Sequence, residues 1–322
     1  MNVLVMGSGA VGGYFGGLLA KGGHDVLFVA RGAHAAAMRE RGLVVTSVTA
    51  GDFTVEDPLV TDKPDGSFKA DLVLFCVKGY SNEEAIGLIR PAVYKDTTVL
   101  TLQNGIGSGD VLATAFGREA VLLGAAYVEA SRTGPGTIRE DGGLCRIVFG
   151  EETGQTTTRA VAVDATLRGS GIQTELTGDV LSGLWTKLIF ICALSGMMCL
   201  TREPMAAVLA TPETLELTTK VMKEAATVAR ARGIAVADDV EEQHLAYFME
   251  HSDVLFSSMF LDLTRGNHLE VGVLNGAVSR IGREVDVATP VNDFIVAALT
   301  PYDKRARQAR RDGGKAQPFL PD

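Results

Sequence analysis

The start of the chain constrains the fold more than any other stretch. "NVLVM" (Asn2 to Met6) is a short, apolar, β-rich run; "GSGAVG" follows without a gap, and an Ala/Gly-rich helical pattern runs from Ala10 to Lys21. A strand that feeds directly into glycines at positions 7, 9 and 12 and then into a helix has one economical geometry. The first glycine permits a tight turn, the second lets the backbone approach a ligand, and the third lets the helix pack on the strand. The unpaired N–H groups and the dipole at that helix start favour an anion, here the diphosphate of a dinucleotide. The residues implicated are Gly7, Ser8, Gly9, Ala10, Val11 and Gly12.

The pattern that follows supports a doubly wound α/β domain. "DVLFVA" (Asp25 to Ala30) precedes "AHAAAMRERG", which stops at Gly42, and "DLVLFCVK" (Asp71 to Lys78) leads to a helix with Ser81 as N-cap and Glu84 three residues on. "TTVLTLQNG" and "AVLLGAAYVEA" follow, with a short helix between them. Continuous apolar strands alternating with helices imply a parallel sheet covered on both faces. After Glu129 the turn-rich "RTGPGTIREDGGLCRIVFGEE" reads as antiparallel strands appended at the sheet edge, and a helix from Thr157 to Arg168 and the strand "IQTEL" complete the domain. From Asp179 to Leu299 strand signals almost vanish, and "PETLELTTKVMKEAATVARARG" has helical spacing with Pro212 in its first turn and Gly233 as its stop. The expected division is an α/β domain over residues 1–176 and an all-α domain over 177–322.

Bulk properties narrow the function classes. The 322 residues carry a net charge of -9 and a pI near 5.2, which argues against nucleic acid as a partner. The four cysteines form no C-x-x-C pair and read as reduced thiols of a cytoplasmic protein. His244 and His251 have no nearby third ligand, so no metal is expected. "GLWTKLIFICALSGMMCLTRE" (Gly183 to Glu203) is apolar but short for a bilayer span and reads as a core helix, with no membrane partner implied. The basic tail, "YDKRARQARRDGGKAQPFLPD", reads as a solvated, fraying helix end.

Two positions then carry chemical meaning. The second strand ends in "FVARGAH", with Arg31 where an NAD enzyme usually has a carboxylate; a guanidinium there suits the 2′-phosphate of NADP(H), the alternative being an ordinary surface arginine. Lys187 sits at the edge of the apolar segment, where it either snorkels to water or is put to use. A hydride acceptor that becomes an alkoxide needs a proton, and a partly desolvated lysine steadied by a carboxylate can supply it. Glu270, in "FSSMFLDLTRGNHLEVGVLNG" beside Ser258, Asp262 and Asn275, is the candidate carboxylate.

"GSGAVGG", "CVKGY", "LQNGIG", "LWTKL", "SSMFLD" and "LEVGVLNGAV" occur in the order and at the intervals of ketopantoate reductases (2-dehydropantoate 2-reductases), which this chain resembles from Met1 to about Thr300. The resemblance implies a Rossmann domain joined to an all-helical domain, NADPH as cofactor and a small 2-oxo acid as substrate. It implies Lys187 as the proton donor, Glu270 as the acid that contacts the lysine and the substrate hydroxyl, and Asn104 as the group that positions both. Ser258 then holds the substrate carboxylate, and Lys78 lies near cofactor and substrate. Structural alternatives stay open: a turn role for Asn104 with Gly105, a helix cap for Ser258, backbone satisfaction for Asn275, and an arginine partner for Glu270.

One departure bears on the substrate. The family pattern "K-x-x-x-N-x-x-x-N" has Ile191 and Ser195 here in place of its two asparagines, both on the helix face of Lys187. A site without those amides discriminates less in favour of a hydroxylated substrate. Three functions follow: reduction of 2-dehydropantoate in pantothenate biosynthesis, the same chemistry on a less hydroxylated 2-oxo acid or ketone, or a non-catalytic NADP(H)-binding sensor. A homodimer is compatible with the chain.

Overall fold

In chain order the computed structural model contains β1 (Asn2–Met6), α1 (Ala10–Lys21), β2 (Asp25–Val29), α2 (Gly32–Arg41), β3 (Leu43–Ser47), β4 (Phe53–Val55), β5 (Leu59–Thr61), β6 (Leu72–Phe75), α3 (Asn82–Ile89), β7 (Thr98–Thr101) and α4 (Ser108–Phe116). These are followed by β8 (Val121–Tyr127), β9 (Ala130–Gly134), β10 (Thr137–Glu140), β11 (Arg146–Gly150), α5 (Thr158–Gly169) and β12 (Gln173–Leu176). The remainder is helical: α6 (Val180–Thr201), α7 (Met205–Ala210), α8 (Pro212–Ala231), α9 (Val240–His251), α10 (Ser258–Thr264), α11 (Asn275–Glu284) and α12 (Pro290–Arg311). The structure describes residues 1–314 and Ala316, so the last part of the basic tail lies outside the described residues. The chain divides into two units between Val180 and Leu181.

The first unit is the expected α/β domain. Its main sheet has the order β12-β11-β8-β7-β6-β1-β2-β5, parallel from β8 through β5. β1 lies inside the sheet, with β2 on one side and β6 on the other, so the strand order reverses beside it. Val3, Leu4, Val5, Leu72, Val73, Leu74 and Phe75 are fully buried, because helices cover both faces and the strands need no polar side.

The turn-rich stretch after Glu129 departs from expectation. β11 does join the main sheet, antiparallel to β8, but β9 and β10 belong to a separate four-stranded sheet, β4-β3-β10-β9. β3 and β4 come from "GLVVTSVTAGDFTV", for which no strands were expected. β3 runs parallel to β10, with Val44 opposite Thr137 and Val45 opposite Ile138.

The reason for the second sheet lies in α1, which is buried on both sides from Gly12 to Leu19. A Cβ on Gly12 or Gly16 would stand 2.9 or 2.7 Å from the side chain of Val5 in the main sheet, and one on Gly13 would stand 2.9 Å from Ile138 in the small sheet. Glycines on opposite faces of one helix let it lie close to two sheets at once. A helix apolar all round needs such cover, and β3 and β10 supply it. A valine at Gly16 would overpack the main-sheet side, at a cost of about 1–3 kcal/mol.

The second unit is all helical, with α6 as its core. Trp185, Leu188, Ile189, Cys192, Ala193, Met197, Met198 and Cys199 are all 2% exposed or less, which explains why this helix carries so few charges. α12 begins at Pro290 without a side-chain cap of its own. Glu224 of α8 caps it instead, accepting the N–H groups of Val291 and Asn292, each at 2.9 Å. Asn292 Oδ1 accepts from Asn275 Nδ2 at 3.0 Å, and the same amide donates to the Cys192 carbonyl. This polar thread fixes the register of α6, α8, α11 and α12, and Asn275 serves the backbone as the structural alternative had it.

Candidate active site

Strand register gathers the candidate nucleotide-binding residues of the first unit. Met6 pairs with Val29 and with Phe75, and Phe75 pairs with Thr101. The residues just beyond those four positions therefore share one carboxyl edge: Gly7 to Gly12, Arg31, Lys78 and Asn104. Ligands of doubly wound sheets bind at this edge, where the strand order reverses.

Gly7 has φ +98°, and a Cβ there would come within 2.9 Å of Val77; both facts require glycine. A Cβ on Gly12 would stand 2.3 Å from the Gly7 carbonyl oxygen, so the third glycine is needed for the turn to close. Gly9 is different: a Cβ there would enter open space. α1 starts at that point with no side-chain cap, which leaves its first amides to a ligand. The residues present thus fit a dinucleotide diphosphate.

Arg31 is exposed at the end of β2, and its guanidinium pairs with Glu84 of α3 at 2.5 Å. Glu84 was expected to complete a capping box with Ser81, but Ser81 makes no side-chain cap; the stronger charge partner claims the carboxylate. An exposed pair of this kind is worth well under ~1 kcal/mol, so a phosphate can displace it.

A buried network missed in the sequence braces the same edge. Gln103 Nε2 donates to the Val77 carbonyl at 2.8 Å and to Asn82 Oδ1 at 2.6 Å, and Asn82 Nδ2 donates to Ser108 Oγ at 3.1 Å. This ties the ends of β6 and β7 to the starts of α3 and α4. Asn104, next in sequence and half-buried, makes no side-chain hydrogen bond among the described residues. The signal for Gln103 was available: a polar residue between an apolar strand and a glycine has to place its amide somewhere.

In the second unit Lys187 lies on the first half of α6, half-buried. Burial lowers its pKa to about 8, with the Glu270 charge opposing that shift. The preceding turn is held from α9, where His244 Nε2 lies 3.0 Å from the Thr186 carbonyl oxygen and the His244 and Phe248 rings meet Phe190 edge-on.

Glu270 is 4% exposed. Its carbonyl accepts the N–H groups of Val273 and Leu274 in the turn before α11. The adjacent Leu269 amide donates to Asp303 Oδ1 of α12 at 2.8 Å, so the carboxylate is carried on a braced backbone. α6 and this turn are far apart in sequence, and the fold brings them within electrostatic reach.

Ile191 and Ser195 continue the line of Lys187 along α6, but they differ in exposure. Ile191 is half-buried. Ser195 is 3% exposed and accepts a hydrogen bond from Ser257 Oγ at 2.7 Å, which ties its hydroxyl oxygen to the start of α10. Ser257, not Ser258, is the cap of α10, accepting from the Phe260 amide at 3.2 Å. Ser258 is exposed at the first position of that helix.

A reversing parallel sheet with an uncapped glycine-rich helix start defines the first unit as a Rossmann domain. Joined to an all-helical unit that carries a desolvated lysine and a buried glutamate, it has the build of a dinucleotide-dependent oxidoreductase. The family model "Ketopantoate reductase PanE/ApbA" matches residues 3–154, and its C-terminal companion matches residues 179–303. The chain belongs to the ketopantoate reductase family. It is 31% identical to the 2-dehydropantoate 2-reductase of Halobacterium salinarum over 97% of this chain and 100% of that one. It is 29% identical to the uncharacterized oxidoreductase YkpB of Bacillus subtilis, over 94% and 99%. Among solved structures, a PanE/ApbA family ketopantoate reductase from Ralstonia eutropha JMP134 superposes with a TM-score of 0.86 at 32% identity, covering 94% of this chain and 99% of that one.

Proposed function

We propose that this oxidoreductase is an NADPH-dependent reductase of a 2-oxo acid, with 2-dehydropantoate as substrate and pantoate as product, a step of pantothenate biosynthesis. In this reading residues 1–176 hold the nucleotide and residues 177–322 the substrate. The observation that carries it is Lys187: an ammonium whose pKa is brought to about 8 by burial, with a buried carboxylate opposing. An acid with a pKa near the working pH is the most effective kind.

When bound, NADPH supplies a hydride to C2 of the oxo acid. Lys187 donates its proton to the carbonyl oxygen as charge develops there. Glu270 keeps the lysine protonated beforehand and accepts the substrate hydroxyl. Asn104, whose amide is uncommitted within the described chain, orients lysine and substrate, and Ser258 takes the substrate carboxylate. The amides from Gly9 to Gly12 hold the diphosphate and Lys78 lies beside it. Arg31 exchanges Glu84 for the 2′-phosphate, a dianion and hence the stronger partner.

A second reading has support from Ile191 and from the Ser195 hydroxyl being tied to Ser257. The face of α6 next to Lys187 then offers hydrocarbon rather than amides, which favours a less hydroxylated 2-oxo acid or ketone. NADPH oxidation across a panel of 2-oxo acids, followed by absorbance, separates the two. 2-Dehydropantoate leading by several orders of magnitude in kcat/KM supports the first reading; a branched or aryl oxo acid leading supports the second. Repeating the assay with NADH and with Arg31→Ala tests the cofactor, since loss of the guanidinium is expected to weaken NADPH far more than NADH.

A further inference from the structure

His34, in the first turn of α2, is 6% exposed and closes the stretch "FVARGAH", in which only Arg31 has been given a role. Its two ring nitrogens have defined neighbours. The Gly136 amide donates to Nδ1 at 2.9 Å, and Nε2 lies 2.6 Å from the Ser8 carbonyl oxygen. An amide can only donate, so Nδ1 carries no proton; the proton is on Nε2 and is donated to Ser8. Both partners are themselves fixed. Gly136, in the turn between β9 and β10, accepts from the Val44 amide at 2.9 Å, and Ser8 Oγ donates to the Val29 carbonyl at 3.1 Å.

Ser8 lies inside the glycine turn. The Ser8–Gly9 peptide is trans, so its carbonyl and the Gly9 N–H point in opposite directions. Holding the carbonyl against His34 turns the Gly9 N–H to the opposite side of the peptide, and that N–H has no hydrogen-bond partner among the described residues.

We infer that His34 is a positioning residue for the nucleotide: by fixing the Ser8 carbonyl against the small sheet, it aims the Gly9 amide at the cofactor's diphosphate. This rests on the glycine turn being the nucleotide site. The small sheet thereby acquires a role beyond covering α1. It anchors, through Gly136 and one imidazole, the peptide that meets the ligand.

The test is a fluorescence titration of the full-length protein with NADPH, and a calorimetric titration with adenosine 2′,5′-bisphosphate, which has the 2′-phosphate but lacks the dinucleotide's diphosphate bridge. His34→Met fills the ring's volume without a donor, and His34→Gln retains one. The Met variant is expected to weaken NADPH by roughly tenfold, the worth of one well-placed hydrogen bond, and the bisphosphate by clearly less. The Gln variant restores most of the affinity, and in turnover the Met variant raises KM for NADPH while kcat at saturation changes little. Equal losses for both ligands, or no loss for either, overturn the inference. If the wild-type protein binds no NADPH at all, the nucleotide reading itself fails. Should the Met variant not fold, the wild-type amide spectrum decides: the Gly9 signal moves on adding NADPH and far less with the bisphosphate, and an unmoved Gly9 signal overturns the inference.

Discussion

Glu140 on β10 keeps 1% of its surface exposed and Glu270, in the turn before α11, keeps 4%, yet their surroundings differ in kind. Glu140 is met by uncharged donors: Ser47 Oγ at 2.6 Å, Thr49 N at 3.0 Å, Thr49 Oγ1 at 2.9 Å and Gly142 N at 2.7 Å. Burial pushes its carboxyl up, and these hydrogen bonds more than reverse that, so its pKa lies below the usual carboxylate value. Glu270 lies near an ammonium that can lose its proton. Neutral donors hold a charge permanently and stabilise a fold. A titrating partner makes the charge balance depend on a proton that chemistry can move. The two glutamates thus separate a structural carboxylate from one suited to catalysis, and the separation can be attacked from either side.

The largest effect is expected at Lys187. Lys187→Ala removes the proposed acid and is expected to lower kcat/KM by roughly 10²–10⁴, while NADPH still binds in a fluorescence titration. Retained turnover would leave Glu270 no more than another buried carboxylate.

Glu270→Gln tests the coupling. Glu270 raises the Lys187 pKa against desolvation, so neutralising it lets that pKa fall below about 8. A smaller fraction of the lysine is then protonated near pH 7.5, and reduction slows by roughly tenfold to a hundredfold. The alkaline limb of the kcat/KM profile moves to lower pH. A limb that stays in place, or moves up, breaks the assignment.

Glu140→Gln is expected to act on stability and not on chemistry. Whichever way the amide turns, its NH₂ faces a backbone N–H that can only donate, that of Thr49 or of Gly142, and the loss is about 3 kcal/mol in urea unfolding, with turnover per folded molecule unchanged. The pH dependence has a definite sign. The folded pKa is below the unfolded value, so the contribution is present above the ordinary glutamate value of 4.5 and is lost as pH falls through the folded pKa. The wild-type and Gln curves therefore converge in acid.

This contrast also measures what the sequence made legible. The nucleotide end was readable because its parts are local. Gly7, Gly9 and Gly12 sit within one turn, and a strand before and a helix after confirm the spacing. The bounds expected for β1 and α1 match those observed. The helical second unit was readable from its lack of strand signals, and Lys187 stood out as a charge at the edge of an apolar helix. Pairings across sequence distance were not readable. Nothing in "LVVTS" says that it pairs with residues some ninety positions on, and without that pairing the roles of His34 and Glu140 are invisible. Nor could spacing show that Ser195 would accept a hydrogen bond from Ser257. Ser81 and Glu84 fitted a capping box locally, and the Arg31 guanidinium, between β2 and α2, overrode it. The errors share one cause, a distant partner that outcompetes a local one.

The smallest predicted effect sharpens the comparison most cleanly. Thr49 is exposed, and its hydroxyl donates to Glu140 Oε1 while its amide donates to Oε2. Thr49→Ala removes the hydroxyl, opens no core cavity and leaves the amide in place. One charge-assisted hydrogen bond near the surface is lost, so stability is expected to drop by about 1 kcal/mol. The folded Glu140 pKa rises, because one of the groups that lowers it has gone, and the acid unfolding midpoint shifts upward with it. Turnover and its pH profile stay as in the wild type. If instead the profile moved with Thr49→Ala, the two carboxylates would be coupled, and the division between a fold-holding and a proton-handling glutamate would not stand.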